Sequence, residues 1–209
     1  NGTQHFGDLV AATPNLTWTG GTSRARFFQI RGIGENSQFE GESPDSSVRF
    51  LIDDLDFTAL GSAASLFDTQ QVEVLRGAQA GAFGANAAGG VIKVVSNDPT
   101  PYHTGYTAAT VAEDNLLAGE IAHGGPISDV LQYRFAAQRT TANGWRDNAF
   151  LNRDHTNQID ELNLRLKLRW LPHALWQCDG TLFYADQNNG HDDFSLDNPR
   201  FPPSNNQPG

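Results

Sequence analysis

Residues 158–170 hold the clearest twofold alternation in the chain. Leu162, Leu164, Leu166, Leu168 and Trp170 share one parity, and Glu161, Asn163, Arg165, Lys167 and Arg169 share the other. Successive side chains of a strand point to opposite faces, so this pattern spells a strand with one apolar and one polar side. Residues 130–140 repeat it, with Leu131, Tyr133, Phe135 and Ala137 opposing Gln132, Arg134 and Gln138. In residues 175–186, Trp176, Cys178, Leu182 and Tyr184 oppose Gln177, Asp179 and Thr181. Residues 102–112 and 116–123 read as weaker strands of similar length. Their connections alternate as well: 113–115, 125–129 and 171–174 are short, whereas 141–157 and the tail from Asn188 are long. Strands of about 10 residues, with short turns at one end and long loops at the other, fit a transmembrane barrel meander. A soluble sandwich with a core-facing Leu stripe is the alternative. The barrel is preferred because the opposing charges are too dense for a second sheet to cover.

Residues before Pro101 follow a different rhythm. A short helix is expected over 4–12, stopped by Thr13-Pro14-Asn15, because the residue before proline is pushed out of the helical region. Strands are expected over 16–19 and 26–33, then a polar loop over 34–47, long enough to suggest a role of its own. A strand over 48–52 turns at Asp53-Asp54 into a returning strand over 55–58, and 63–67 reads as one helical turn. Strands over 72–75 and 91–95 flank a Gly- and Ala-rich loop. This is a small α+β unit of short mixed elements.

Composition narrows the class. The 209 residues carry a net charge of −10, with basic residues scattered, so nucleic acid is not an expected partner. No apolar stretch is long and unbroken enough for a membrane helix, which leaves a β-barrel open. The chain has no Met and no opening signal sequence, so a mature or excised fragment is expected. Its single Cys178 offers neither an internal disulfide nor a zinc site.

Candidate chemistry is sparse. Gly77, Gly81 and Gly84 give GxxxGxxG rather than GxGxxG, and no Gly-Lys-Ser/Thr follows, so a phosphate cradle is not expected. Asp53, Asp54 and Asp56 lack the glycine and closing glutamate of an EF-hand loop. His191, Asp192, Asp193 and Asp197 form an acidic cluster in an expected outer loop, read as solvated. No catalytic triad has a supporting motif, so no enzymatic activity is expected. An α/β enzyme using the Gly-rich loop and a soluble β-rich binding module remain as alternatives.

Several segments in order carry a family resemblance. They are Gln29-Ile30-Arg31-Gly32-Ile33-Gly34, then VRFLIDD from Val48, VEVLRG from Val72, and FGANAAGGVI from Phe83. Together they resemble a TonB-dependent outer-membrane receptor, siderophore-receptor-like, over the plug (about 5–98) and the first barrel strands (about 102–188). Gly125-Pro126-Ile127-Ser128-Asp129 resembles the family's first periplasmic turn. Ala78 and Ala80 stand where the family usually has Pro and Gly, and Asp54 where it often has Gly.

The resemblance implies an α+β plug domain, a small mixed sheet with short helices, over 1–100. Antiparallel transmembrane β-barrel strands follow over 101–209, about five of the family's roughly 22, so the barrel is incomplete. It implies a Gram-negative outer-membrane location and active import of a scarce ligand, a ferric siderophore above all, with cobalamin, haem, oligosaccharide or aromatic compounds as alternatives. The implied partners are the TonB-ExbB-ExbD energy-coupling complex, the ligand and outer-membrane lipid, with no cofactor and no resident metal; the coupling (TonB) box would precede Asn1. Plug outer-loop ligand contacts would come from Glu35, Asn36, Gln38, Phe39, Glu42 and Phe57. Arg31 and Arg76 would lock plug to wall through barrel glutamates beyond Gly209. Gly32, Gly77, Gly84, Gly89 and Gly90 would keep the confined loops free of bulk.

Overall fold

A computed structural model describes residues 10, 13–19, 27–34, 46–58, 60, 65–84, 87–144, 146–148, 153–173 and 175–190. Thirteen strands and one helical turn are placed among them. The N-terminal part contains β1 (Leu16–Thr19) paired antiparallel with β2 (Phe27–Ile30). Beside this hairpin lies a four-stranded sheet of β3 (Val48–Ile52), β4 (Leu55–Asp56), β5 (Thr69–Arg76) and β6 (Gly90–Ser96), in the order β4-β3-β6-β5. β3 and β6 run parallel and the other pairs antiparallel, giving the expected small mixed sheet.

Period-2 burial builds its core. Phe28, Ile30, Val48, Phe50, Ile52, Ile92 and Val94 cluster on one side, with Phe28 and Phe50 stacked at 5.3 Å. Val91, Leu51 and Ala87 form a smaller cluster on the other side, with Phe83 and Leu75 against it. β6, apolar on both faces, is therefore central. β5 lies at the sheet edge, and none of its residues is fully buried.

The second part is an antiparallel meander, β13-β12-β9-β8-β7. Its strands are β7 (Thr104–Ala112), β8 (Leu116–Ser128), β9 (Leu131–Ala142), β12 (Ile159–His173) and β13 (Trp176–Gln187). At 9 to 15 residues they have the length of membrane-crossing strands. The sheet does not close on itself, and no helix among the described residues is long and apolar enough to cross a membrane.

Four local expectations are corrected. Residues 125–128 continue β8 rather than turning; the turn is Asp129-Val130. The 141–157 loop contains a small hairpin, β10 (Arg146–Asn148) with β11 (Arg153–Thr156). The Gly/Ala loop contains one helical turn, α1 (Ala80–Phe83), whose Phe83 carbonyl accepts a hydrogen bond from Arg49. The helical turn expected at 63–67 is absent from its described residues: Ser65 makes an isolated bridge and Leu66 and Phe67 are irregular. The expected helix over 4–12 lies outside the described residues except for Val10, which is helical.

Candidate functional site

The alternation in β9 and β12 was expected to belong to a barrel wall with one apolar and one polar face. The burial agrees with that and shows which face is covered. Gln132, Arg134, Gln138, Thr140, Glu161, Asn163, Arg165 and Lys167 are buried. Leu168, Trp170, Phe135, Leu182 and Tyr184, on the opposite face, are exposed. The polar face lies against the N-terminal layer, so burial of charge, not of leucine, joins the two parts.

Asp68, just before β5, is the hub. Its side chain is 0% exposed, and it accepts Arg134 Nε at 2.8 Å and Arg134 Nη2 at 2.5 Å, a two-pronged pair. Asn97 Nδ2 donates to the same carboxylate at 2.8 Å. The Asp68 N–H donates to Glu120 Oε1 at 2.8 Å, and Glu120 also accepts from the Tyr106 hydroxyl. Asp68 has φ of 47°, a left-handed conformation that Asp tolerates better than most residues.

Arg165, two positions beyond Asn163 on the inward parity of β12, reaches the same segment. Its Nη2 donates to the carbonyls of Phe67 at 2.7 Å and Asp68 at 3.0 Å, and its guanidinium lies 4.5 Å over the Phe67 ring. Asn163 Nδ2 donates to Ser65 Oγ at 3.2 Å. Both Arg165 and Asp68 are almost fully desolvated, which is tolerable because the guanidinium finds two carbonyls, a ring face and a carboxylate nearby.

Further along β12 the same parity grips the strand ends of the N-terminal sheet. Lys167 Nζ donates to Ser96 Oγ at 2.8 Å and Asp98 Oδ1 at 2.9 Å, with Asp53 Oδ2 at 3.4 Å. The Ser96 hydroxyl in turn donates a hydrogen bond to Asp53 Oδ2 at 2.5 Å. Arg169 Nη2 donates to Asp98 Oδ2 at 2.9 Å and pairs with Asp179 on β13. The Asp98 side chain is 50% exposed, so this end of the ladder is wet. Burial works to raise the Asp98 carboxyl, but hydrogen bonds from Lys167 and Arg169 outweigh it and hold the group below its usual value. Around this end a cleft of about 330 Å³ opens between the Asp53-Asp54 turn and β12–β13. Its charges are mutually paired, Lys93 with Asp54 at 2.7 Å among them.

An aromatic contact completes the seam. Phe183 of β13 meets Phe57 edge-on at 5.7 Å and Phe67 at 6.3 Å. Phe57, expected in an outward ligand-contacting loop, is here half-buried between the N-terminal core and β13. Glu35, Asn36, Gln38, Phe39 and Glu42 lie outside the described residues.

Arg31 and Arg76 sit elsewhere. Both are exposed, and no ion pair to either is present among the described residues. Arg76 pairs in register with Gly90, at the end of the sheet away from Asp68. Gly32, Gly77 and Gly84 adopt positive φ. Gly90 has the sharpest requirement: at φ +147° a Cβ would stand 2.3 Å from the Leu75 carbonyl oxygen and 2.6 Å from Ile30 Cδ1. At Gly89 a Cβ would press on Ile33 Cγ2 at 3.0 Å and Val48 Cγ2 at 3.1 Å.

Sequence reading missed Asp68, Asn97, Asp98 and Glu120, and treated Arg134, Arg165 and Lys167 only as the wet side of strands. One signal was present: the inward parity of β9 and β12 carries four cations, and Asp53, Asp68 and Asp98 all flank strands of the N-terminal sheet. Among the described residues there is no cluster of three or more His, Cys, Asp or Glu able to hold a metal.

Comparison with known proteins gives a consistent picture. The family model for the TonB-dependent Receptor Plug Domain matches residues 1–91. The pesticin receptor of Yersinia enterocolitica is 29% identical over 104 residues, half of this chain and 15% of that receptor. The iron-regulated outer membrane virulence protein of Vibrio cholerae is 27% identical over 142 residues, 64% of this chain and 22% of that protein. Among solved structures, the ferric yersiniabactin uptake receptor of Yersinia pestis superposes with TM-score 0.76 at 23% identity, covering 88% of this chain and 29% of that one. The pyoverdine outer membrane receptor of Pseudomonas aeruginosa gives 0.70 at 17% identity, covering 89% and 26%. At these identities the structures speak for the fold. This chain thus spans less than a third of each of these proteins.

Proposed function

We propose, from the match of residues 1–91 to the TonB-dependent Receptor Plug Domain model, that the whole protein is an active-transport receptor of a Gram-negative outer membrane. Residues up to about 100 form its plug, and the following strands begin the barrel wall. The cargo is a ferric siderophore, bound from outside and released to the periplasm when the TonB-ExbB-ExbD complex acts on the plug. Cargo is substrate here, not a resident cofactor. No bond is made or broken, so the work lies in binding the cargo differently in two plug states.

One observation carries this reading: the wall sheet buries its charged face on the plug and leaves its leucines and tryptophans bare. In water that arrangement is upside down. In a bilayer it is the favourable one, because the apolar face meets lipid and the polar face lines a lumen. Trp170, Trp176 and Tyr133 gather on the outward face near the short β12–β13 turn, where amphipathic rings suit the headgroup layer. Relatives with iron-related printed names favour a siderophore over the other cargoes.

Deletion of the gene, followed by growth on a panel of single ferric siderophores under iron limitation, tests the proposal. Loss of growth on one siderophore, restored by the wild-type gene only in a TonB-positive strain, is expected. Unchanged growth and uptake across the panel would reject the siderophore assignment.

A further inference from the structure

Two histidines stand among the apolar residues on the outward face of the wall. His123 of β8 shares its parity with Ile121 and Ile127 and pairs in register with Phe135 of β9; all three of these neighbours are exposed. His103 lies just before β7, whose Thr104 pairs with Gly124. A Cβ at Gly125 would strike the His103 ring, so the imidazole fills the place of a side chain there. The two imidazoles stack with centroids 5.6 Å apart and planes inclined by 25°. Tyr133 of β9, in register with Gly125, closes the cluster, its hydroxyl 2.7 Å from His123 Nδ1. Both histidines are exposed.

The His123–Tyr133 pair carries one proton more than its own hydrogen bond uses. If the phenol donates to Nδ1, the imidazole N–H stands at Nε2. If Nδ1 donates to the phenol oxygen, the hydroxyl proton is left over. Either way the pair presents a spare donor, and His103 brings an N–H of its own. Hydrocarbon offers these donors no acceptor, and a polar group without a hydrogen bond is costly there. Acceptors begin at the headgroups. Tyr133 pairs in register with Leu168, two residues before Trp170, so the cluster adjoins the aromatic belt at the short-turn end of the strands. In bacterial barrels that end faces the periplasm.

We infer that His103, His123 and Tyr133 form a site for the phosphodiester of a phospholipid in the periplasmic leaflet. The phosphate oxygens accept from His103 and from the spare donor of the His123–Tyr133 pair. The acyl chains run along Ile121 and Phe135 toward the middle of the bilayer. Because the cluster joins the segment entering β7 to β8 and β9, one bound lipid holds the first three wall strands at headgroup level. The inference rests on the outward face meeting lipid, as proposed above, and it involves neither cargo nor coupling complex.

Native mass spectrometry of the full-length receptor in detergent micelles tests it. The probes are phosphatidylglycerol and diacylglycerol, which share acyl chains and differ in the phosphate headgroup. The wild type should retain phosphatidylglycerol about tenfold more tightly than diacylglycerol, as hydrogen bonds to a charged group allow. His103→Phe with His123→Phe keeps both rings, removes their donors and should abolish that preference. His103→Gln with His123→Gln supplies amide donors instead and should retain most of it. A wild type that holds the two lipids equally, or an undiminished preference in the Phe variant, would overturn the inference. So would a Gln variant as weak as the Phe variant. A receptor recovered in buffer without detergent would remove the membrane reading itself, whereas a detergent-dependent receptor lacking the preference removes only the lipid site.

Discussion

In the plug sheet Phe50, Val91, Ile92 and Val94 are buried among one another. In the wall sheet Arg134, Gln138, Glu161, Asn163 and Arg165 are buried, while Leu182, Trp176 and Val111 are more than 60% exposed. Both sheets obey the same period of two. What differs is the solvent each face meets. The plug hides its apolar parity from water in the ordinary way. The wall turns its apolar parity outward, and its charged parity is satisfied by carboxylates, carbonyls and hydroxyls offered by the plug. The lesson is that alternation identifies the two faces of a strand but not which of them is buried; that depends on the partner.

Four substitutions probe the contrast, taken from the largest expected effect downward. Arg134→Ala leaves Asp68 buried without its two-pronged partner, and a loss of about 3–5 kcal/mol is expected for a broken buried pair. Denaturant unfolding of the full-length receptor would register it. A cost below 1 kcal/mol would mean that the seam is wetter than described. Leu166→Lys places a charge on the outward face near the middle of β12 and should cost about 2–4 kcal/mol in a bilayer. The same change should cost far less if that face met water, so the result separates lipid from solvent directly.

Gly90→Val acts inside the plug. Its Cβ would collide with the Leu75 carbonyl, and overpacking of about 1–3 kcal/mol or more should reduce the assembled receptor on the cell surface. Normal surface levels with lost ligand binding would assign Gly90 a different role. Arg169→Gln, at the wet end of the ladder, should change stability by no more than about 1 kcal/mol.

The same wet end predicts a pH response. The Asp98 carboxyl is held below its ordinary 3.8 by Lys167 and Arg169. Its stabilising contribution is therefore complete above that value and is lost as pH falls through the lower folded-state pKa. An Asp98→Asn receptor should show a smaller drop in stability below pH 4 than the wild type.

Much of this arrangement was legible in the residues. The Leu162-to-Trp170 stripe and the apolar Val91-to-Val95 run placed β12 and β6 within a few residues of their observed limits, because period and composition agreed there. Other features were hidden for physical reasons. α1 lies among glycines and alanines with no apolar periodicity to announce it, and the β10–β11 hairpin is made of polar residues whose parity carries no contrast. Asp68 looked like an ordinary loop carboxylate: its importance comes from Arg134, 66 positions later, and Arg165, 97 positions later, and only the folded register brings them together. Arg31 and Arg76 were legible as conspicuous cations before glycines, yet the cations that grip across this seam come from the wall.

The central claim is that a buried, charge-paired seam joins plug to wall, and a double-mutant cycle on Asp68→Asn and Arg134→Met in the full-length receptor tests it most directly. Unfolding free energies of the wild type, both single variants and the double variant should give a coupling of about 2 kcal/mol or more, within the range for residues in direct contact. Additive effects, with coupling near zero, would contradict it.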